Sequence, residues 1–428
     1  MNLSDRTPLR AVAAAAVGNM MEWYDFTVYA LFAGFLAQNF FGGGDAANDL
    51  LKAFLAFGLG FTVRPLGAVL IGQYGDRRGR KAALTLTILL MAAGTGIIAF
   101  APGWAAIGWG APILLLLGRI LQGFSAGGEI GGAAAYLLET APVERRGVVT
   151  SWLEASMGMS NILGALAAFA VSAGLSAAEI HSWGWRLPFI FGLAILPIGL
   201  ILRRSLPETG AFRDEALKRG VERGDRPAPL VEVLRQHGRT LFVGFCVAVL
   251  WAVAVYSLVI FLPVYVQGAD GFDFTAKQAF GASLIGNVLF VVGCVAFGSL
   301  SDRIGRRTML FISASLLLLG VLPAFMWLRT EPSTATLIAV QCALCILVAS
   351  FVGVAPAALA EIFPTRVRAT GTSIVYNSAF MIFGGFAPAI LTWFKQRPGG
   401  SQFAPAWYVM AAAVVALAAI PALERSEP

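Results

Sequence analysis

Apolar residues in this chain come in runs of roughly twenty, and within those runs they do not alternate with polar ones. A helical residue rises about 1.5 Å, so about twenty of them cross a hydrocarbon core. Only helices and closed barrels satisfy their backbone hydrogen bonds in lipid. Barrel strands would show a two-residue alternation over shorter segments, so helices are predicted. The pattern places spans near 11–41, 50–74, 82–101, 111–139, 147–175, 184–203, 240–266, 277–299, 308–328, 336–361, 369–394 and 404–423.

The polar residues between these runs are distributed asymmetrically. One set of loops carries Arg77, Arg78, Arg80 and Lys81, then Arg145 and Arg146, then Arg303, Arg306 and Arg307, then Arg366 and Arg368. The alternate loops hold few cations: the segment near 102–110 has none, and that near 268–276 carries Asp270 and Asp273. By the positive-inside rule the Arg-rich side is cytoplasmic, and both termini are expected there. Residues 203–239 mix both signs and contain Pro227 and Pro229. They read as a cytoplasmic linker between halves 1–202 and 240–428, with a surface helix near 208–222.

The halves repeat. Gly72, Asp76, Arg77, Gly79 and Arg80 after the second span are matched one for one, at a constant offset, by Gly298, Asp302, Arg303, Gly305 and Arg306 after the eighth. Glu139 before Arg145 and Arg146 is echoed by Glu361 before Arg366 and Arg368, at nearly the same offset. Duplication of a six-helix unit is implied, an architecture that puts a binding site between the halves. In each loop the glycines permit a tight turn. Asp76 and Asp302 can pair with arginines or with a neighbouring helix N-terminus. Such clusters can latch one conformation, as well as hold the loop in the cytosol.

Composition agrees and narrows the class. Of the 428 residues, 58% are hydrophobic and 13% charged, against about 25% charged in a soluble domain. The net charge of +7 is what cytoplasmic loops produce, and no basic stripe with exposed aromatics points to nucleic acid. Cys246, Cys294, Cys342 and Cys345 all fall inside apolar runs and read as packing residues. His181 and His237 sit at predicted loops with no Cys partner, so no metal, no cofactor and no enzyme chemistry is expected. The first apolar run leads straight into Glu22 and Asp25, unlike a cleavable signal peptide.

The paired loops of pattern GxxxDRxGR, each followed by Lys or Arg, resemble the signature loop of the major facilitator superfamily. A finer set of motifs adds to this: Gly18-Asn19 with Glu22-Trp23-Tyr24-Asp25-Phe26, Arg64-Pro65-Leu66-Gly67, Gly118-Arg119 with Gln122-Gly123 and Ser125 through Glu129, Trp183 to Pro188, and Glu208-Thr209. Together they resemble the metabolite:proton symporter family, whose members carry citrate, α-ketoglutarate, shikimate or proline and betaine. The resemblance covers essentially the whole chain. It implies an all-α major facilitator fold of twelve transmembrane helices in two pseudo-symmetric six-helix bundles, driven by the proton gradient of a bacterial inner membrane.

Ionisable residues inside the spans are the site candidates, because a charge at the bilayer centre costs ~3 kcal/mol or more and must face a cavity or a partner. Glu22 and Asp25 share a helix face and, with Glu129 and Glu154, are the proton-coupling candidates. Arg119, Gln122, Ser125 and Glu129 form a polar stripe expected to face the central cavity, and Arg119 suits a carboxylate by two parallel hydrogen bonds. Equally, Arg119 can neutralise one of these acids. Arg64 lies about 12 Å along its helix from the cytoplasmic end, too far to snorkel, and is a second cation candidate or a helix lock. Asn19, Tyr256, Tyr376 and Asn377 are further substrate-binding candidates. The second half offers Asn287, Gln341 and Trp251 besides, and its scarcity of charge assigns proton chemistry to the first half and shape selection to the second.

The expected function is proton-coupled import of a small organic acid, such as a di- or tricarboxylate, by alternating access. Glu154 keeps a zwitterionic osmolyte as the alternative, because a carboxylate there can hold an ammonium group. No Gly-Lys dipeptide exists for a nucleotide-binding loop, which excludes an ATP-driven pump. A channel would not need a duplicated gate loop. The fifth span lacks the Gly-Pro pair usual in proton-driven drug exporters.

Overall fold

The computed structural model describes residues 3–42, 45–78, 80–127, 129–194, 229–267, 272–365, 367–396 and 401–424. Twelve helices organise them. The first six are α1 (Leu3–Leu31), α2 (Ala47–Ile71), α3 (Arg80–Phe100), α4 (Gly110–Thr140), α5 (Val143–Gly174) and α6, described over 187–194. After the linker come α7 (Gly238–Ile260), α8 (Ala276–Ile304), α9 (Arg306–Thr330), α10 (Thr334–Glu361), α11 (Arg368–Gln396) and α12 (Ala404–Ala422). Among the described residues nine of these are long and apolar enough to cross a membrane.

Small residues set how closely the helices pack. A Cβ on Gly123 of α4 would collide with the backbone oxygen of Gly60, and one on Gly127 with that of Arg64, so α4 lies backbone to backbone on α2. In the second bundle a Cβ on Gly353 of α10 would stand 2.5 Å from the backbone oxygen of Cys294 on α8. Gly127 and Gly353 are separated by the same offset as the two gate motifs, and each marks a break in its helix: α4 restarts at Glu129 and α10 at Ala355. Duplication is therefore visible in the backbone as well as in the loop motif.

The bundles meet where α5 packs on α8, α2 on α11 and α4 on α11. They touch at both ends. At the Arg-rich end Asp302 accepts from the Gly147 and Val148 backbone amides at 2.8 and 3.0 Å, and Arg368 pairs with Glu139 at 3.0 Å. At the opposite end Gln396 donates to the Ala47 carbonyl at 2.7 Å and Phe54 meets Phe261 edge-on. Among the described residues the bundles are therefore in contact at both ends.

Two helices of the second bundle contain wide π turns, Val255–Ile260 in α7 and Phe380–Gly384 in α11. A π turn disturbs the regular hydrogen-bond ladder, and in an apolar interior a freed carbonyl needs another donor. Gln341 of α10 supplies one to Leu258, and Tyr408 of α12 supplies one to Phe383, each at 3.1 Å.

One expectation changes. The second gate sequence is not a loop: α8 runs on through Asp302 to Ile304, and Gly305 alone turns the chain, at φ 93°. That φ is open to glycine and costly for other residues, so one residue suffices to reverse direction. Within 203–239 the predicted surface helix at 208–222 lies outside the described residues; among those described, a helix occupies Pro229–Gln236, with Val233 buried and Leu234 exposed.

Candidate functional site

The site forms around Phe26, one turn beyond Glu22 on α1. The guanidinium carbon of Arg64 (α2) lies 4.7 Å from the Phe26 ring centre and that of Arg119 (α4) 4.6 Å from it. Phe61 at 4.3 Å and Trp23 at 5.6 Å complete the setting of Arg64; Tyr29 at 4.5 Å and Phe57 at 4.7 Å complete that of Arg119. Both arginines are 0% exposed. Ring faces attract a desolvated cation by ~0.5–2 kcal/mol each, which helps offset the burial of two like charges in one cluster.

The two guanidiniums differ in what they have left to give. Arg119 donates to Gln122 at 2.6 Å and to the Phe57 carbonyl at 3.4 Å; Nε alone lacks an acceptor. Gln122 in turn donates to Thr95 of α3 at 2.9 Å, and Thr95 donates to Asp25. Arg119 and Asp25 are thus joined through two uncharged side chains inside the first bundle. Arg64 faces the Glu22 carboxylate at 3.5 Å, while none of its three nitrogens makes a hydrogen bond. A fully buried guanidinium whose donors lack acceptors calls for an anion, and the Glu22 carboxylate is the one facing it here.

The second bundle faces this cluster with rings. Tyr256, on the π turn of α7, packs against Phe57, Phe61, Trp23 and Phe380, and its buried hydroxyl has no hydrogen-bond partner. Tyr376 stacks on Phe380 at 3.9 Å and meets Trp251 edge-on at 5.0 Å. Trp251 donates to Glu154 of α5 across the bundle boundary at 3.1 Å.

Of the residues singled out in the sequence, Glu22, Asp25, Arg64, Arg119, Gln122, Glu154, Tyr256 and Tyr376 are brought together here. Asn19 is spent elsewhere: its amide donates to the Leu153 carbonyl and Ser156, and accepts from Trp23, fastening α1 to α5. Asn377 donates to the Gly127 carbonyl at 3.1 Å, a bond between bundles at the break in α4. The side chains of Glu129, Asp76, Arg77 and Arg80, and all of Gly79, lie outside the described residues; Gly72 is helical, within Arg64–Arg78. Their second-bundle counterparts are described. Asp302 binds the start of α5 and also Arg306 at 2.7 Å, and Arg306 reaches Glu361 at 3.5 Å.

The polar stripe of α4 does not face the central cavity as a unit. Ser125 donates to the Thr87 carbonyl on α3 at 2.7 Å. Residues three apart on an α-helix are offset by ~60°, so a run of three-residue steps winds around the helix and turns Ser125 away from Arg119. Sequence reasoning missed Thr95, an isolated hydroxyl in an apolar span with nothing local to mark it. It also missed Phe57 and Phe61, although Phe57, Phe61 and Arg64 recur at spacings of four and three, a detectable face.

Known proteins place these features in a wider set. The model of the Major Facilitator Superfamily matches residues 15–388 and 289–428. A citrate-proton symporter of Salmonella typhi is 34% identical over 96% of this chain and 92% of its own. A glycine betaine/proline/ectoine/pipecolic acid transporter of Dickeya dadantii is 33% identical over 95% of this chain and 81% of its own. Among solved structures, a partially occluded inward-open form of the xylose transporter XylE from E. coli superposes with a TM-score of 0.75 at 18% identity, covering 96% of each chain. The chain is a membrane-spanning transporter, not an enzyme, and it belongs to the major facilitator superfamily.

Proposed function

We propose that this protein is a proton-coupled symporter that imports a small organic acid, of the di- or tricarboxylate class, by alternating access. The observation that carries the reading is Arg64, a buried guanidinium at the junction of the bundles whose three nitrogens make no hydrogen bond, with the Glu22 carboxylate 3.5 Å away. The free hydroxyl of Tyr256 shares its ring neighbours Phe61 and Trp23, so a carboxylate drawn to Arg64 meets a donor from the second bundle. Arg119, against the same Phe26 ring, adds positive potential and supplies the charge balance a second carboxylate needs. Binding that draws donors from both bundles favours the occluded state, because a ligand shifts a conformational equilibrium by its differential contacts with the two states.

Protons enter through the buried acids Glu22, Asp25 and Glu154, with Glu129 the fourth candidate. The Arg-rich end faces the cytoplasm of a bacterial cell, with both termini on that side, and the Asp302 latch closes that face. Residues 1–202 and 240–428 move as the two bodies, joined by 203–239. The 33–34% identity to a citrate-proton symporter and a betaine transporter supports proton-coupled import of a small charged solute.

A second reading has its own observation. Glu154 accepts from Trp251, whose ring meets Tyr376 and Phe380, and a carboxylate next to an aromatic cluster suits a quaternary ammonium, so a zwitterion bridging Arg64 and Glu154 is the alternative cargo. One experiment decides. Purified protein in liposomes with an acidic exterior is given citrate or glycine betaine. Concentrative uptake of citrate, abolished by a protonophore, is the expected result; uptake of betaine alone selects the second reading, and accumulation of neither rejects both.

A further inference from the structure

Proton coupling requires that one bundle sense a proton carried by the other. Two of the buried acids have a partner in their own bundle: Glu22 lies 3.5 Å from Arg64, and Asp25 accepts from Thr95. Glu154 differs. Among the described residues its one hydrogen-bond donor is the indole nitrogen of Trp251, far along the chain on α7 in the second bundle. Both partners are buried, Glu154 at 3% and Trp251 at 1% exposure. The bond crosses at the depth of the candidate site, whereas the Asp302 latch closes the Arg-rich end.

We propose that Trp251 is the residue through which the second bundle reads the proton on Glu154. This inference rests on the proton-coupled reading above. An ionised carboxylate accepts a charge-assisted hydrogen bond, roughly twice as strong as the neutral one accepted by the protonated form. The proton adds to a Glu154 oxygen, forming one O–H bond and no other. Its arrival weakens the grip of α5 on α7, and its departure restores it. Trp251 passes the change on through ring contacts: Tyr376 at 5.0 Å and Phe380 at 5.7 Å, which stack on each other at the π turn of α11. Phe380 also touches Tyr256 and Trp23, the rings beside Arg64. Solute and proton therefore act on one connected set of rings. Trp251 is a positioning residue, because it acts through Glu154 and the stack.

The other ionisable groups around Glu154 are Tyr256 from α7, Cys294 from α8 and Tyr376 from α11. From α1 the uncharged Asn19 packs against Leu153, with Glu22 one turn further on. Phenols and thiols ordinarily stay protonated at neutral pH, so the carboxyl group is the one whose charge changes beside the indole.

The test needs no knowledge of the cargo. Full-length protein labelled with 5-fluorotryptophan is placed in lipid nanodiscs, and the fluorine resonance of Trp251 is assigned by its absence from Trp251→Phe. The expected result is a Trp251 signal that titrates with pH in the wild type, loses its titration in Glu154→Gln, and regains it with a displaced midpoint in Glu154→Asp. A flat signal in the wild type overturns the proposal, as does a titration unchanged in Glu154→Gln. A wild type whose Trp251 signal titrates but which accumulates neither citrate nor betaine sinks the symport reading and leaves this contact standing. Accumulation with a flat signal does the reverse.

Discussion

The two bundles share a scaffold and divide the chemistry. At the common offset that aligns Gly72 with Gly298, other glycines recur: Gly60 with Gly286, Gly67 with Gly293, Gly127 with Gly353. The charges do not. Arg64 corresponds to Phe290 and Arg119 to Cys345, each fully buried. Phe290 packs on Gly158, where a Cβ would stand 2.7 Å from its ring, filling the seam between α5 and α8. Cys345 accepts a weak contact from Gln341. Close backbone approach is a demand of both bundles, so the small residues persist in both. A buried charge is tolerated only where a partner or a cargo uses it, and one set per cavity is enough.

The sharpest way to break this comparison is to exchange corresponding positions. Arg64→Ala is expected to lower concentrative uptake about 100-fold, the equivalent of ~3 kcal/mol for a buried charge contact. Phe290→Leu at the paired position should cost less than about 3-fold, because it changes shape and no charge. Equal losses at the two sites would dissolve the division. Next in size comes Asp302→Asn at the Arg-rich end. It removes an anion from the start of α5 and from Arg306, and about a 10-fold fall in uptake is expected together with easier thiol labelling of a cysteine introduced at that end.

Gln122→Leu separates structure from binding within the first bundle. It breaks the connection from Arg119 to Thr95 and leaves buried donors and acceptors unmatched, at ~1–3 kcal/mol. Thermal unfolding in detergent should move down by several degrees, with a loss of solute affinity well below that of Arg64→Ala. The smallest effect belongs to the second bundle. Gln341→Leu uncovers the Leu258 carbonyl in the π turn of α7 at ~1 kcal/mol, and a slight drop in unfolding temperature is the expected reading.

Much of the fold was legible in the sequence because lipid leaves few choices. Long unalternating apolar runs mean helices, and the matched loops at 72–80 and 298–306 mean a duplicated unit. The site was legible in its residue types. Glu22, Asp25, Arg64, Arg119 and Glu154 stood out because charge in an apolar run calls for a partner, and the described side chains of all five are buried. Their pairings were not legible. Arg119 to Asp25 runs through its helix neighbour Gln122 and then through Thr95 on α3, and nothing in a periodic pattern says which helix a side chain will meet. Asn19 read as a cavity residue in the sequence, yet it fastens α1 to α5, since an amide satisfies a neighbour's backbone as readily as a cargo.

By itself, then, the sequence determined the number of crossings, their duplication and the set of ionisable groups committed to the interior, because each of these follows from the cost of placing a residue type in hydrocarbon. Which guanidinium keeps its donors unspent, and which acid bonds across the bundles, depended on helices distant in sequence coming into register. Arg64 and Arg119 are chemically the same, and only the neighbours that packing brought to each left one without hydrogen-bond acceptors beside Glu22 and bound the other to Gln122 and the Phe57 carbonyl.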